Sequence, residues 1–497
     1  MLAKIQAQLI GENLVKKNPN LSIEYHVKTA LADRDINLSL LTSNSIGLFT
    51  KDISKRVITG QCDIAIHSWK DLPVDLSKET KIIATVDRGD MRDVLIVKKE
   101  TAQCRNKANI QILSSSPRRQ HNLKKILPKI VPFKYDDLSF REVRGNIETR
   151  LKKFVQGDVD GIVMAKVAID RILESDDNKA KKFINSVIND NKWLILPLSV
   201  FPTAPGQGAI AIEARKDRSD IKQLLKTINN RDIYRKVDHE KLILSQYGGG
   251  CQQKIGISIW SERGRDVYSM TGLTENGKEI KEFDFFNKKE NDISYKFSEK
   301  SAFPESKGNQ IFKRNKVDAN DELKLLKKSF VYLSRKNVID DINKMSDSNY
   351  FWTSGMKCWE YASKMGYWIN GTSDSMGDNH LEDLKNFIPK NIACIKLSHS
   401  KANEENYKLI PTYDLKIIEE SIKNLEIENK KYFFWMSSYQ FDTILKYFPK
   451  IISANHSSGF GKTFDHLKHK LPNSSDVKCF LSYEHWLSYY KKESENE

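Results

Sequence analysis

A cysteine closes a run of three glycines, Gly248-Gly249-Gly250-Cys251, between a helix-like segment from Tyr234 to Tyr247 and a strand-like one from Ile255 to Trp260. Glycine removes side-chain bulk and opens backbone angles that other residues avoid, so a large group can approach this sulfur or be attached to it. A buried, inert thiol is the plainer reading of one isolated cysteine. Three other segments weigh against it. The apolar strand Cys62 to Ile66 runs into His67-Ser68-Trp69-Lys70-Asp71, which sets a carboxylic acid beside a lysine just past a buried strand. Such a pair suits proton transfer or stabilisation of a cationic intermediate, although alone it reads as an exposed turn. Ser114-Ser115-Ser116-Pro117-Arg118-Arg119-Gln120 follows a second apolar strand and opens a helix, with serine as N-cap and proline in the first helical position. Free N–H groups and the helix dipole favour an anion there, and two guanidiniums add planar donors for carboxylates. Arg144-Gly145-Asn146-Ile147-Glu148-Thr149-Arg150 repeats the arrangement, with Asn146 able to cap a helix from Ile147. Two arginine-bearing helix starts suit a ligand with several carboxylates. Phosphates would satisfy the same geometry.

These groups need a scaffold that brings strand ends together. The pattern predicts a helix over Phe49–Gly60, strands over Lys81–Val86, Asp93–Val97, Ile110–Ser114 and Gly161–Met164, and helices over Arg118–Leu127 and Ile147–Gly157. Alternation of helices with continuous apolar strands predicts an α/β fold with buried sheets and active groups at strand ends. From residue 218 two helices precede a set of strands, so a small α+β unit is expected. Asn287 to Asn320 is polar and charged, and reads as a linker or irregular edge. In the C-terminal part Tyr350-Phe351-Trp352-Thr353-Ser354 is echoed by Phe433-Phe434-Trp435-Met436-Ser437-Ser438. Each is an aromatic strand ending in a serine suited to capping the next helix, which suggests two similar α/β lobes. Gly459-Phe460-Gly461-Lys462-Thr463 is no phosphate loop, because His456 occupies the first glycine position. His466 and His469 lack a third ligand, and no metal site is expected.

At 497 residues the chain predicts three or four domains. It has no apolar run of about eighteen residues and no signal-peptide pattern at its start, so a cytoplasmic location without a membrane span is expected. Six scattered cysteines without a CxxC pair argue against structural zinc and a disulfide framework. The net charge of +16 favours anionic partners, but no arginine-rich tail or nucleic-acid motif is present, so nucleic acid is not expected.

Taken together, the blocks resemble the porphobilinogen deaminase (hydroxymethylbilane synthase) family. The match runs in family order through Gly47-Leu48-Phe49-Thr50-Lys51, His67 to Val74, Ser115 to Gln120, Arg144-Gly145-Asn146 with Thr149-Arg150, Pro205-Gly206-Gln207-Gly208-Ala209, and Gly249-Gly250-Cys251-Gln252 with Ile255-Gly256. It is good to about residue 260 and fades by 300. The resemblance implies two α/β domains like those of periplasmic binding proteins, at 1–98 with 200–217 and at 99–199. A small α+β domain at 218–300 would carry the cofactor cysteine. It further implies a covalent dipyrromethane on Cys251, with Asp71 and Lys70 as catalytic residues. Lys51, Asp71, Ser115, Arg118, Arg119, Arg144 and Gly145 would hold the cofactor, and Arg150, Arg171 and Gln207 the substrate porphobilinogen. Four head-to-tail condensations with ammonia release, then hydrolysis, would yield hydroxymethylbilane in tetrapyrrole and heme biosynthesis, in a monomer.

The chain also departs from the family. Met1 stands directly before Leu2-Ala3, where the family has a strand with an Arg-x-Ser motif; a misassigned start and a genuine loss both remain open. Ile46 replaces a lysine, and Pro117 a leucine. After a linker at 301–325, residues 326–497 resemble uroporphyrinogen-III synthase more faintly, through Phe351–Gly355, Leu409–Tyr413, Phe434–Ser438 and Gly461–Leu467, with Tyr413 the residue to test first. A working synthase, which would make the chain bifunctional, and a relict or docking domain are both open. The rival reading for the N-terminal half is an impaired enzyme, or a two-lobed protein that binds a carboxylated ligand without turnover.

Overall fold

The computed structural model describes residues 1–26, 48–73, 76–248, 253–286, 298–305, 311–377, 381–402, 404, 406–472 and 477–495. The chain divides into two units, Met1–Ser261 with Asp266–Phe286, and Glu262–Arg265 with Asn287–Glu497. Both have the expected α/β character.

The first unit contains three sheets. In the smallest α/β layer, strand Ile210–Arg215 lies between Ile64–Ser68 and Thr80–Ala84 and is antiparallel to both. Helix Leu2–Lys17 covers it with Ile10 and Leu14, which pack with Ala84, Val86, Ile210 and Ile212. The strand expected at Cys62–Ile66 starts two residues later, because helix Leu48–Ile58 ends in a turn at Gly60 with φ +74°. Its pairing then carries His67 and Ser68 onto Ala211 and Ile210.

The second sheet has the order Lys134–Arg141, Asn106–Leu113, Gly161–Ala165, Asp93–Val97, Lys192–Ile195. The first three strands are parallel, and Asp93–Val97 runs antiparallel to both its neighbours. Every residue of Asp93–Val97 and Gly161–Ala165 is buried, as expected for strands covered on both faces. Helix Pro117–Ile130 continues past the expected end at Leu127 and accommodates Pro128 in its last turn. The third sheet, in the order Glu279–Phe285, Arg265–Leu273, Gly256–Glu262, follows helices Ser219–Lys226 and Arg231–Ser245.

Two segments cross between the first two sheets: residues 85–92 lead into Asp93, and residues 196–209 return from Ile195 to Ile210. A buried carboxylate holds them. Glu240 accepts both terminal nitrogens of Arg88 at 2.7 and 2.9 Å, and the backbone N–H groups of Gly206 and Ile259 at 2.8 and 2.7 Å. Arg88 Nε donates to the Gln207 carbonyl at 2.8 Å. One ion pair therefore ties both crossings to the third sheet. Gly206 and Gly208 lie within the return crossing at φ +77° and +88°, and a Cβ at Gly208 would stand 2.5 Å from the Gly89 carbonyl. Glycine is needed there for both reasons.

In the second unit a six-stranded sheet has the order Phe312–Lys316, Lys408–Ile417, Cys394–His399, Phe330–Leu333, Tyr350–Thr353, Gly371–Thr372. All its pairs are parallel except the first. A second, parallel sheet contains Ala302–Phe303, Tyr432–Trp435, Asn455–Gly459 and Lys478–Phe480. The stretch expected as a linker at 301–325 instead supplies two strands and helix Asn320–Leu325. Phe312–Lys316 is a polar edge strand whose pattern shows no apolar face, but its register with Lys408–Ile417 holds it in place. The two aromatic strands also differ at their ends. Ser437 caps its helix by accepting from Gln440 N–H, whereas Ser354 donates to the Ser334 carbonyl and leaves the cap to Gly355.

Arg88→Met should leave the Glu240 carboxylate buried without its cation. Loss of one partner of a buried pair costs about 3–5 kcal/mol. Urea unfolding of the full chain should show a loss of that size, and a loss below about 1 kcal/mol would mean that the clamp does not hold the crossings.

Candidate functional site

Strand Ile64–Ser68 ends in a single 3-10 turn, Trp69–Asp71. The turn sits where the return crossing begins its last leg: Trp69 N–H bonds the Ala209 carbonyl, and Trp69 packs on Leu72, Ala209 and Val237. Its buried indole leaves Lys70 and Asp71 pointing into a cavity of about 280 Å³ between the first two sheets. Lys70, Asp71, Arg119, Gly145, Asn146 and Arg150 belong to its polar lining. Leu2, Ile147, Met164, Ala165, Ala168 and Ile172 supply much of its apolar lining, and Met1, Ser68 and Glu148 complete it.

Both helix starts exist as the local chemistry requires. Ser116 caps Pro117–Ile130 by accepting from Arg119 N–H, and Asn146 caps Ile147–Gln156 by accepting from Thr149 N–H at 2.9 Å. The second start lines the cavity with its open N–H end, an arrangement that favours an anion. Arg150 Nε donates to the Gly145 carbonyl at 2.7 Å and so braces the loop before that helix. Ser115 braces the neighbouring loop by exchanging hydrogen bonds with the backbone of Val143, each 2.9 Å. Arg144 lies half-buried at 4.0 Å from Glu142 and is not part of the cavity lining.

Two of the expected arginines are not among the residues that line the cavity. Arg118 is turned into the protein, where it donates to Asp93 Oδ2 at 2.8 Å and the Pro202 carbonyl at 2.9 Å and lies over the Phe201 ring. Arg171 is buried and donates to the Gly208 carbonyl at 2.7 Å. Burial lowers its pKa to about 10, against the opposing pull of Asp170 and Glu174. Neither guanidinium lines the cavity. Arg119 does, and its Nη2 is held by Asp93 Oδ1 at 2.7 Å. Gln207 is buried behind the lining, with Oε1 accepting from Lys70 Nζ at 3.3 Å and Arg119 Nη2 at 3.4 Å. Cys251 and the side chain of Lys51 lie outside the described residues.

Asp93 was absent from the sequence-derived set, although it carries the site. Burial raises a carboxylic acid's pKa, but Arg119 and Arg118 outweigh burial here and hold Asp93 well below the usual carboxylate range. The only sequence signal was an acid at the head of a wholly apolar strand. Lys70 shows the opposite balance. Burial lowers it from 10.5 to about 8; Asp71 and Asp93 pull it up, while Arg119 and Arg118 push it down.

The fold and cleft define an α/β protein with two sheet domains and, between them, a cavity lined by an acid, Asp71, and the cations Lys70, Arg119 and Arg150. Porphobilinogen deaminase, dipyromethane cofactor binding domain, is the family description that matches residues 1–223. A porphobilinogen deaminase of Caldicellulosiruptor saccharolyticus is 31% identical over 56% of this chain and 88% of its own length. One from Syntrophomonas wolfei is 35% identical over 50% and 75%, and a probable one from Picrophilus torridus 37% over 53% and 83%. A probable amino-acid ABC transporter extracellular-binding protein from Bacillus subtilis aligns at a TM-score of 0.25 and 10% identity over 48% of this chain and 86% of its own, too loosely to argue from.

The chain belongs to the porphobilinogen deaminase family. It is accordingly a transferase of tetrapyrrole biosynthesis with a dipyrromethane cofactor. The lining fits such a group: it combines cations and a helix start, which suit carboxylates, with apolar side chains that suit pyrrole rings. Among the described residues no helix is long and apolar enough to cross a membrane.

Lys70 is charged below about 8 and loses its proton above it. The KM for porphobilinogen should therefore rise as pH increases through that value, and Lys70→Met should abolish the limb. A KM that stays flat across this range in the wild-type chain would remove Lys70 from ligand binding.

Proposed function

We propose that the chain is a hydroxymethylbilane synthase in which Cys251 carries the dipyrromethane and Asp71 is the acid/base. One observation carries the reading: Lys70 and Asp71 share a turn that faces the same cavity as Arg119, Arg150 and the open start of helix Ile147–Gln156. When bound, the cofactor supplies the terminal pyrrole to which substrate units are joined. Asp71 is exposed to the cavity and suited to protonate the substrate's aminomethyl nitrogen, so that it leaves as ammonia. The resulting carboxylate then accepts a hydrogen bond from the pyrrole N–H of the same substrate, where positive charge develops. Arg119, Arg150 and Lys70 hold the substrate's acetate and propionate groups by charge-assisted bonds. Arg118, Arg144, Arg171 and Ser115 support the loops and crossings that aim these cations. Lys51 belongs to the proposal on sequence grounds.

For residues 326–497 the proposed second activity is that of a uroporphyrinogen-III synthase. It is supported by the sequence resemblance and by two largely parallel α/β sheets in the second unit, each with one of the paired aromatic strands. Tyr413 is buried on Lys408–Ile417, with its ring centroid 5.8 Å from that of His399.

Asp71→Asn keeps the shape but removes the acid. It should lower ammonia release by about two to four orders of magnitude, the usual contribution of general acid–base catalysis, without loss of helix content. Denaturing mass spectrometry should show the two-pyrrole adduct on wild-type chain and its absence from Cys251→Ala; an unmodified wild-type Cys251 would overturn the attachment. For the C-terminal part, oxidised products of the full chain should be mainly the type III isomer, falling toward type I in Tyr413→Phe. A wild-type product that is type I alone would remove the second activity.

A further inference from the structure

We propose that Asp93 is the positioning residue of the cleft: its buried carboxylate aligns Arg119 directly and, through Gln207, the Lys70 ammonium. The inference rests on the reading above that Arg119 and Lys70 hold ligand carboxylates.

Asp93 stands where the outward crossing meets the second sheet, at the first position of a fully buried strand. Its two oxygens accept four hydrogen bonds from three residues. Oδ2 takes Arg118 Nη2 at 2.8 Å and Arg119 Nε at 3.1 Å; Oδ1 takes Arg119 Nη2 at 2.7 Å and Gln207 Nε2 at 2.8 Å. Gln207 Nε2 also donates to the Met91 carbonyl at 2.7 Å, so both its hydrogens are engaged. The amide oxygen must then face the other way, toward Lys70 Nζ and Arg119 Nη2. Asp93, together with the Met91 carbonyl, thus fixes which end of Gln207 meets the ammonium. Neither Asp93 nor Gln207 lines the cavity, so both act through the residues that do.

An asparagine at 93 has almost the same shape but offers one oxygen and one NH2. At least one of its neighbours, a guanidinium or the Gln207 amide, would then face a donor with a donor. Where the Gln207 NH2 loses its Asp93 acceptor, only the Met91 carbonyl still holds the amide in its orientation. The charged groups facing Lys70 are Asp71 and Asp93, which favour its protonation, and Arg119 and Arg118, which oppose it. Removal of Asp93 leaves both arginines acting on Lys70 with only Asp71 against them.

Competitive acetylation of the cofactor-loaded full chain with acetic anhydride, resolved by peptide mass spectrometry, reads the titration of Lys70 without reference to turnover. In Asp93→Asn the Lys70 midpoint should fall by on the order of one pH unit, with kcat/KM reduced roughly ten- to a hundredfold through KM. Asp93→Glu restores the charge and should return the midpoint toward that of wild type. Gln207→Met removes the acceptor that favours the charged lysine and should also lower the midpoint, while Arg118 and Arg119 keep Asp93 as their ion-pair partner. It is the deciding variant if Asp93→Asn fails to fold. A Lys70 midpoint unchanged in either variant, with only thermal stability lowered, overturns the proposal. A midpoint that shifts while the KM profile does not would support the positioning role and instead sink the ligand-holding role of Lys70.

Discussion

A carboxylate placed at the head of a wholly buried strand is the constraint on which the first unit's cleft depends. Taking one charge out of water costs several kcal/mol, and the structure meets that cost at Asp93 with two guanidiniums and an amide. The attraction is strong because the site is dry, and the same dryness makes any loose partner expensive. The arginines therefore have little freedom. Arg118 is drawn inward and Arg119 is left along the cavity wall, held at a fixed angle from behind. The acid does no chemistry at the cavity surface, but the geometry of that surface follows from it.

A second buried carboxylate, Glu240, solves a different problem. Two crossings must pass each other closely between the sheets, and tight passage leaves backbone N–H groups without strand partners. Glu240 accepts one of these, from Gly206, together with the Ile259 N–H of the third sheet, while its charge is balanced by Arg88. Glycines at 206 and 208 let the return crossing adopt positive φ and approach Gly89. The cations that line the cavity thus stand on fixed backbone supports, so part of the ordering cost of binding is met in advance.

The second unit shows how one local motif can have two outcomes. Ser437 and Ser354 both follow short aromatic strands, yet only Ser437 caps a helix. Next to Ser354 the parallel neighbour strand presents the Ser334 carbonyl, which captures the hydroxyl at 2.8 Å. A tertiary acceptor has replaced a local one. The edge strand Phe312–Lys316 was hidden for a related reason: edge strands tolerate polar residues on both faces, so alternation is weak and pairing alone defines them.

The sequence by itself determined what depends on neighbours a few residues away. It marked the helix starts at Ser116 and Asn146, because caps bond N–H groups three residues on, and it put Lys70-Asp71 just past a buried strand. Strand ends shifted by one to four residues where pairing, not propensity, set the limit. Tertiary structure decided which of two adjacent arginines faces the cavity. Consecutive helical residues point about 100° apart, and only the position of Asp93 says which direction is inward. It also decided that Arg171 bonds a backbone carbonyl, that Gln207 presents its oxygen to Lys70, and that Lys70 titrates near 8. Each of these depends on burial and on charges distant in the chain but a few ångströms away in space, and no local pattern encodes that proximity.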